Sequence, residues 1–209
     1  MLHYITPNDV GVMALTDSDS INRAVARAKE TGLNRVLIPR RNERTGLCCW
    51  DIDRAIMLCS DMEIILDNAY LRQVDGCIDN VFINHVHDHP AVTLDGEQRN
   101  IIIRGVGNAV IDGGEPNGLI EKTSLKDGRP HISRNNPILL HNIRGFVIEN
   151  LTILNPRWWA INLLYAEQGR VSNIRICAEN NIPNQDGIDL RIGCHDISLK
   201  TSSAMQATI

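Results

Sequence analysis

A chain of 209 residues, 43% of them hydrophobic, can bury one core and reads as a single domain, residues 1–209. Its net charge of −4 offers no basic field, and no stretch is apolar for long enough to span a bilayer, so neither nucleic acid nor membrane is an expected partner. Aromatic residues make up only 4%, which favours stacked aliphatic side chains over an aromatic-rich sandwich.

Residues 1–16 show neither a basic start nor an apolar run of signal-peptide length. The cysteines (Cys48, Cys49, Cys59, Cys77, Cys177 and Cys194) form no Cys-x-x-Cys pair, so no zinc site is expected. They are expected to be reduced and mostly packed as small apolar groups, with a cytoplasmic location and no cofactor.

Residues 17–32 predict a helical cap. Asp17, Ser18 and Asp19 offer N-capping oxygens, Ile21, Ala24, Val25 and Ala28 make one apolar stripe, and Gly32 stops the helix. Residues 35–114 read as early, irregular coils, with strands at 36–39, 48–52, 55–59, 62–66, 69–74, 81–83, 100–105 and 110–112. His85-Val86-His87-Asp88-His89 gathers three imidazoles and a carboxylate, but one loop seldom closes a metal shell; a solvated loop is expected, and no metal. Residues 115–136 carry charge, Gly and Pro and read as a long loop leaving the body of the fold.

Regular coils occupy 137–199. Asn150, Asn173 and Asp196 are 23 residues apart, as are Leu151, Ile174 and Ile197, and Ile153, Ile176 and Leu199. A fixed period with one alternating strand pattern per unit is the signature of a solenoid of parallel strands, climbing about 4.8 Å per turn. The expected fold is therefore all-β, a right-handed parallel β-helix of roughly seven coils with an N-terminal capping helix. Asn150, Asn173 and Asp196 should form a ladder at one corner, and Leu151, Ile174 and Ile197 one inward line.

Within the last coils, Asn184, Asp186 and Asp189 cluster with no Lys nearby, at the entry to the alternating strand Ile188-Asp189-Leu190. Alone, Asn-Gln-Asp-Gly is common turn composition. Its place in the repeat singles it out. Ala160-Ile161-Asn162-Leu163 looks like the previous coil's counterpart of Gly187-Ile188-Asp189-Leu190, which sets Trp159 one coil from Asp186 and makes it a site-shaping residue. Of the pair Trp158-Trp159, one member is expected to be a core filler.

Asn184-x-Asp186-Gly187-Ile188-Asp189, preceded by Phe146 to Asn155 and by Trp158-Trp159-Ala160-Ile161, resembles glycoside hydrolase family 28, the polygalacturonases and their relatives. The resemblance spans roughly 17–199 and departs from the family at Gln185, where Thr is usual. It implies a right-handed parallel β-helix that hydrolyses pectin-type oligo- or polysaccharides with inversion. Carried over, Asp186 is the water-activating base, Asn184 a site-shaping partner and Asp189 a structural or secondary polar group. The family's Asp-Asp pair, Gly-His-Gly and Arg-Ile-Lys are missing after Asp186, and His195 is in the wrong context to replace them.

Residues 200–209 abandon the alternation and are expected to be an out-of-frame tail; one permitted set of codons, read in a shifted frame, spells a strand ending in Gly-Asp-Asp. With those motifs missing, Asp186 is half of an acid–base pair and the chain is not expected to hydrolyse as it stands, and on the out-of-frame reading its last coil presents a bare edge prone to end-to-end self-association. Two alternatives remain: a non-catalytic carbohydrate-binding or structural β-helix, and a polysaccharide lyase, which would need a calcium-binding acidic cluster and a basic residue.

Overall fold

A computed structural model describes residues 4–85, 96–114, 125–126, 129–130, 135–178 and 184–200. One helix, α1 (Asp17–Glu30), is followed by β1 (Arg35–Pro39), β2 (Trp50–Ile52), β3 (Ile56–Met57), β4 (Met62–Asp67), β5 (Tyr70–Gln73), β6 (Phe82–Ile83), β7 (Gln98–Val106) and β8 (Val110–Asp112). Next come β9 (Leu125–Lys126), β10 (Arg129–Pro130), β11 (Ile138–Leu154), β12 (Ile161–Cys177), β13 (Ile188–Leu190) and β14 (Ser198–Lys200). All but β9 and β10, a small antiparallel pair, join one 12-stranded sheet in which every pairing is parallel.

The chain visits three ladders in rotation. The first runs β1, β4, β7, the middle of β11, the middle of β12, then β14; the second β2, β5, β8 and the ends of β11 and β12; the third β3, β6, the starts of β11 and β12, then β13. Each has an apolar spine: Val36–Ile64–Ile103–Ile148–Val171–Leu199 in the first, Trp50–Leu71–Ile111–Ile153–Ile176 in the second and Ile56–Phe82–Ile138–Ile161–Ile188 in the third. All three pack into one continuous core, with Leu199 at the end of the first left exposed. The molecule is thus mostly β, a curled all-parallel sheet consistent with a β-helix solenoid. It makes five passes and the first strand of a sixth, against the seven coils expected, because the early passes carry long connections.

The 23-residue period holds between β11 and β12 along their whole length and puts Leu151 beside Ile174. It fails at the third set. Leu199 pairs with Val171, not Ile176, and Ile197 precedes Ser198, the partner of Arg170, so Ile197 does not continue the line of Leu151 and Ile174. The cause is mainly the connection before β13, ten residues (178–187) where the previous pass uses six (155–160), with one more extra residue between β13 and β14. Asn173 donates its amide to Asn150 Oδ1 at 2.8 Å, as the corner ladder requires, but Asp196 is not part of it. It belongs to a different corner, where Asp61, Asn100, Gly145, Gln168 and Asp196 follow in register and all have left-handed φ, from 54° to 74°. Asn and Asp tolerate that region, and their side chains bond along the stack, Asn100 Nδ2 to Asp61 Oδ1 at 2.8 Å.

Close approach dictates two glycines. A Cβ on Gly169 would lie 2.0 Å from the Phe146 ring, and one on Gly105 only 1.9 Å from the Asn150 carbonyl oxygen.

Helix α1 packs across β1, β2 and β3, the first strand of every ladder, with Ile21, Ala24 and Ala28 fully buried. Its N-cap is Thr16, whose Oγ1 accepts the Asp19 N–H at 3.1 Å. The carboxylate of Asp17 and the hydroxyl of Ser18 serve instead as tertiary anchors. Asp17 takes Arg44 Nε at 2.7 Å and the Asp51 N–H at 2.8 Å, and Ser18 takes the Asp53 N–H at 3.0 Å.

Outside, the first ladder carries alternating charge: Glu63 pairs with Arg35 (2.6 Å) and Arg104 (3.2 Å), and Glu149 with Arg104 and Arg170 (both 2.7 Å). Glu149, like Glu63, lies between two cations, so Glu149→Gln should lower stability by about 1 kcal/mol in dilute buffer and by less in 1 M salt, read from urea midpoints at both ionic strengths.

Among the six cysteines, all free, Cys77 is buried, Cys59 and Cys194 pack half-buried against the core, Cys49 and Cys177 are half-buried, and Cys48 is exposed. Residues 115–136 are not simply a loop. They contribute the β9–β10 pair, and Asn135 and Asn136 are fully buried against the sheet. Residues 86–89 of the histidine cluster, 115–124, 127–128 and 131–134 of the loop and the tail 201–209 lie outside the described residues. Among the described residues, no helix is long and apolar enough to cross a membrane.

Candidate active site

Alternation in β13 buries Ile188 towards the core and turns Asp189 to the outer face of the third ladder. In register, that outer face reads Met57, Ile83, Leu139, Asn162, Asp189: apolar for three passes, polar for the last two. Ile83, Leu139 and Leu164 form a small second apolar cluster with Met57 and Tyr165. His141 is buried beside it, 5.3 Å from the His85 ring and 6.1 Å from Tyr165. Asn162 is fully buried; its amide donates to Asn136 Oδ1 at 3.2 Å, and the Asn136 amide donates to Asn80 Oδ1 at 3.0 Å. A file of amides therefore supports the floor beneath Asp189.

The loop before β13 is fixed by its backbone. The Ala160 N–H donates to the Asp186 carbonyl at 2.8 Å and the Ile161 N–H to the Gly187 carbonyl at 3.0 Å. Gln185, which stands where the resembled family has Thr, reaches the previous pass and donates to the Pro156 carbonyl at 2.8 Å. Asn184 is half-buried at φ 64°, a conformation Asn accepts more readily than most residues. These bonds leave the Asp186 side chain exposed and set Trp159 beside it on the neighbouring pass, as the alignment of 160–163 with 187–190 predicts. Trp159 is half-buried, with the Arg191 guanidinium 5.1 Å from its ring centroid. Trp158 is the core filler of the pair, buried at 5.8 Å between ring centroids.

Asp189 is half-buried. Loss of solvent pushes its carboxyl up to about 6, the Asp186 charge pushes the same way, and Arg191 opposes both. The sign for stability follows. The unfolded chain ionises this group near 3.8, while the folded chain resists until about 6, so stability should fall as pH rises through that window. Asp189→Asn should remove that part of the slope, and thermal unfolding of both proteins at pH 4 and pH 7 checks it.

Asp186 and Arg191 lie close enough to act on the Asp189 carboxyl, Arg191 also reaches the Trp159 ring, and Asn184 lies in the loop that leads into them; Arg191, Asn162 and Gln185 are three residues that the sequence reading did not single out for the site. Arg191 was legible from strand alternation, which puts 189 and 191 on the same side. Asn162 follows from aligning the two coils. Gln185 carries no sequence signal for its bond to Pro156. His195 is occupied elsewhere, 2.9 Å from Glu167 and 3.0 Å from Asp196.

No protein-family model matches the chain, and no curated protein sequence matches it significantly. Its fold, however, is shared with solved structures. One is a protein from Parabacteroides merdae described provisionally as a glycosyl hydrolase, at 17% identity and a TM-score of 0.67, covering 94% of this chain and 83% of that one. Another is PfbA, a surface adhesin of Streptococcus pneumoniae, at 18% identity and a TM-score of 0.58; the match covers 86% of this chain and 40% of the adhesin. A second structure of the same adhesin matches at 19% identity and a TM-score of 0.55 over 88% of this chain. At these identities the likeness is one of fold.

Proposed function

We propose that this chain is a right-handed parallel β-helix related to glycoside hydrolase family 28 and that, against the expectation raised by the missing Asp-Asp pair, it acts on glycosidic bonds of pectin-type oligosaccharides by inverting hydrolysis. The observation that carries the reading is that an exposed carboxylate, Asp186, and Arg191 both act on half-buried Asp189, with the Arg191 guanidinium over the half-buried Trp159 ring. Asp186 is the base that takes a proton from the attacking water, Asn184 shapes the loop, and Trp159 walls the sugar site. A fold shared with a protein described as a glycosyl hydrolase supports the same direction. A cytoplasmic location belongs to this reading, supported by six free cysteines.

The test is incubation of the full chain with galacturonate oligomers, measuring reducing ends and unsaturated products in parallel. Hydrolysis gives reducing ends alone. Unsaturated product would make the protein a lyase. Saturable binding with neither product would favour the second reading, a non-catalytic carbohydrate-binding β-helix, which the fold shared with an adhesin supports.

Replacing Gln185 probes the loop itself. Gln185→Ala removes the bond to the Pro156 carbonyl and should raise KM for the oligomer several-fold with a smaller change in kcat, because it loosens the loop and leaves both carboxylates in place.

A further inference from the structure

We infer that Asp189 is the proton donor to the departing sugar oxygen, working with Asp186 as the water-activating base. The inference rests on the hydrolytic reading above and moves Asp189 out of the secondary role that the family resemblance implies.

Glycoside hydrolysis needs two carboxyl groups held in different environments, one keeping its proton and one losing it. The third ladder supplies such a pair. Asp186 is exposed, where water supports its charge. Asp189 sits on a paired strand, and its Oδ2 is shielded from water with no hydrogen-bond partner. A shielded, unpartnered carboxylate oxygen is costlier charged than protonated. The groups facing it agree. From its own segment come Asp186, which disfavours a second negative charge, and Arg191, which favours one. From β12 comes Asn162, an uncharged amide. Arg191 is also drawn over the Trp159 ring. The balance keeps the proton on Asp189 up to about pH 6.

Spacing permits the division of labour. Three residues of chain reach at most roughly 10 Å, which accommodates the about 6.5–9.5 Å that an inverting pair needs for a water between substrate and base. Both groups are fixed, Asp189 by its pairing with Asn162 and Asp186 by the Ala160 bond to its carbonyl. In the reaction, the Asp189 carboxyl gives its proton to the glycosidic oxygen as the bond from that oxygen to the anomeric carbon breaks, the bonding pair leaving with oxygen. Water adds to the opposite face of the anomeric carbon and gives a proton to the Asp186 carboxylate. Asp189 ends ionised and Asp186 protonated, and exchange with solvent restores both.

The test compares two leaving groups. On trigalacturonate, which departs only when protonated, Asp189→Asn should lower kcat by roughly 10²–10³-fold and erase the fall in rate above pH 6. On the 2,4-dinitrophenyl galacturonide, whose leaving group needs no proton, the same variant should stay within about tenfold of wild type, whereas Asp186→Asn should be slow on both. Equal losses on both substrates, or an alkaline limb that survives Asp189→Asn, would overturn the donor role while leaving the hydrolase reading intact. Wild-type protein that binds trigalacturonate and cleaves neither substrate would overturn both. Circular dichroism and thermal unfolding of each variant separate lost chemistry from lost fold.

Discussion

Asp186→Asn is expected to reduce turnover of galacturonate oligomers by roughly 10²–10⁴-fold, the usual contribution of a positioned base. Asn has nearly the same volume and keeps an oxygen, but its amide cannot take a proton from water. The side chain is exposed, and the loop is held through the main chain, by Ala160 to the Asp186 carbonyl and Ile161 to the Gly187 carbonyl. Melting temperature and oligomer binding should therefore be nearly unchanged, and the loss should fall on kcat. Turnover like that of wild type would remove Asp186 from the base role.

Gly105→Ala should be among the most damaging single methyl additions at the described residues. Its Cβ would lie 1.9 Å from the Asn150 carbonyl oxygen and 2.7 Å from the Ala109 Cβ. A backbone carbonyl cannot swing aside as a side chain can, so β7 and β11 would have to part where they pair. A cost of roughly 3 kcal/mol or more is expected, against the 5–15 kcal/mol that typically holds a domain together. Gly46→Ala is the control. Gly46 has φ 75° with nothing within 4 Å of the added carbon, so only the left-handed backbone resists, at roughly 1–2 kcal/mol. Urea unfolding of both variants reads the difference.

The strands were largely legible because parallel stacking imposes alternation on every short segment. Residues 62–66, 69–74 and 81–83 anticipate β4, β5 and β6 to within a few residues. The register of the last pass was not. A sequence period counts residues in connections as if they were strand, and four extra residues ahead of β13, with one more after it, shift Ile197 and Asp196 off their lines. The same lengthened connection carries Asn184 to Asp186, so the period breaks where the candidate site begins. The site's identity came from residue types, Asn184, Asp186, Asp189 and Trp159, but its electrostatics depend on burial. No pattern of letters reveals that Asp189 Oδ2 is shielded and unpartnered, or that Arg191 leans over Trp159. The capping of α1 went wrong for a similar reason: Asp17 and Ser18 are good capping residues whose oxygens are claimed by Arg44, Asp51 and Asp53 from the first pass.

The rotation of the chain through three ladders also dictates an order of events during synthesis. Every strand finds its earlier partner already made: β4 needs β1, β7 needs β4, and β12 needs β11. The helix that covers the first strand of each ladder emerges before any of them. No pairing in the main sheet waits for a distant C-terminal segment, so the growing chain can zip onto its own product as it leaves the ribosome, each pass templating the next. Release of nascent chains at increasing lengths should then show protease resistance advancing one pass at a time from the helix onward.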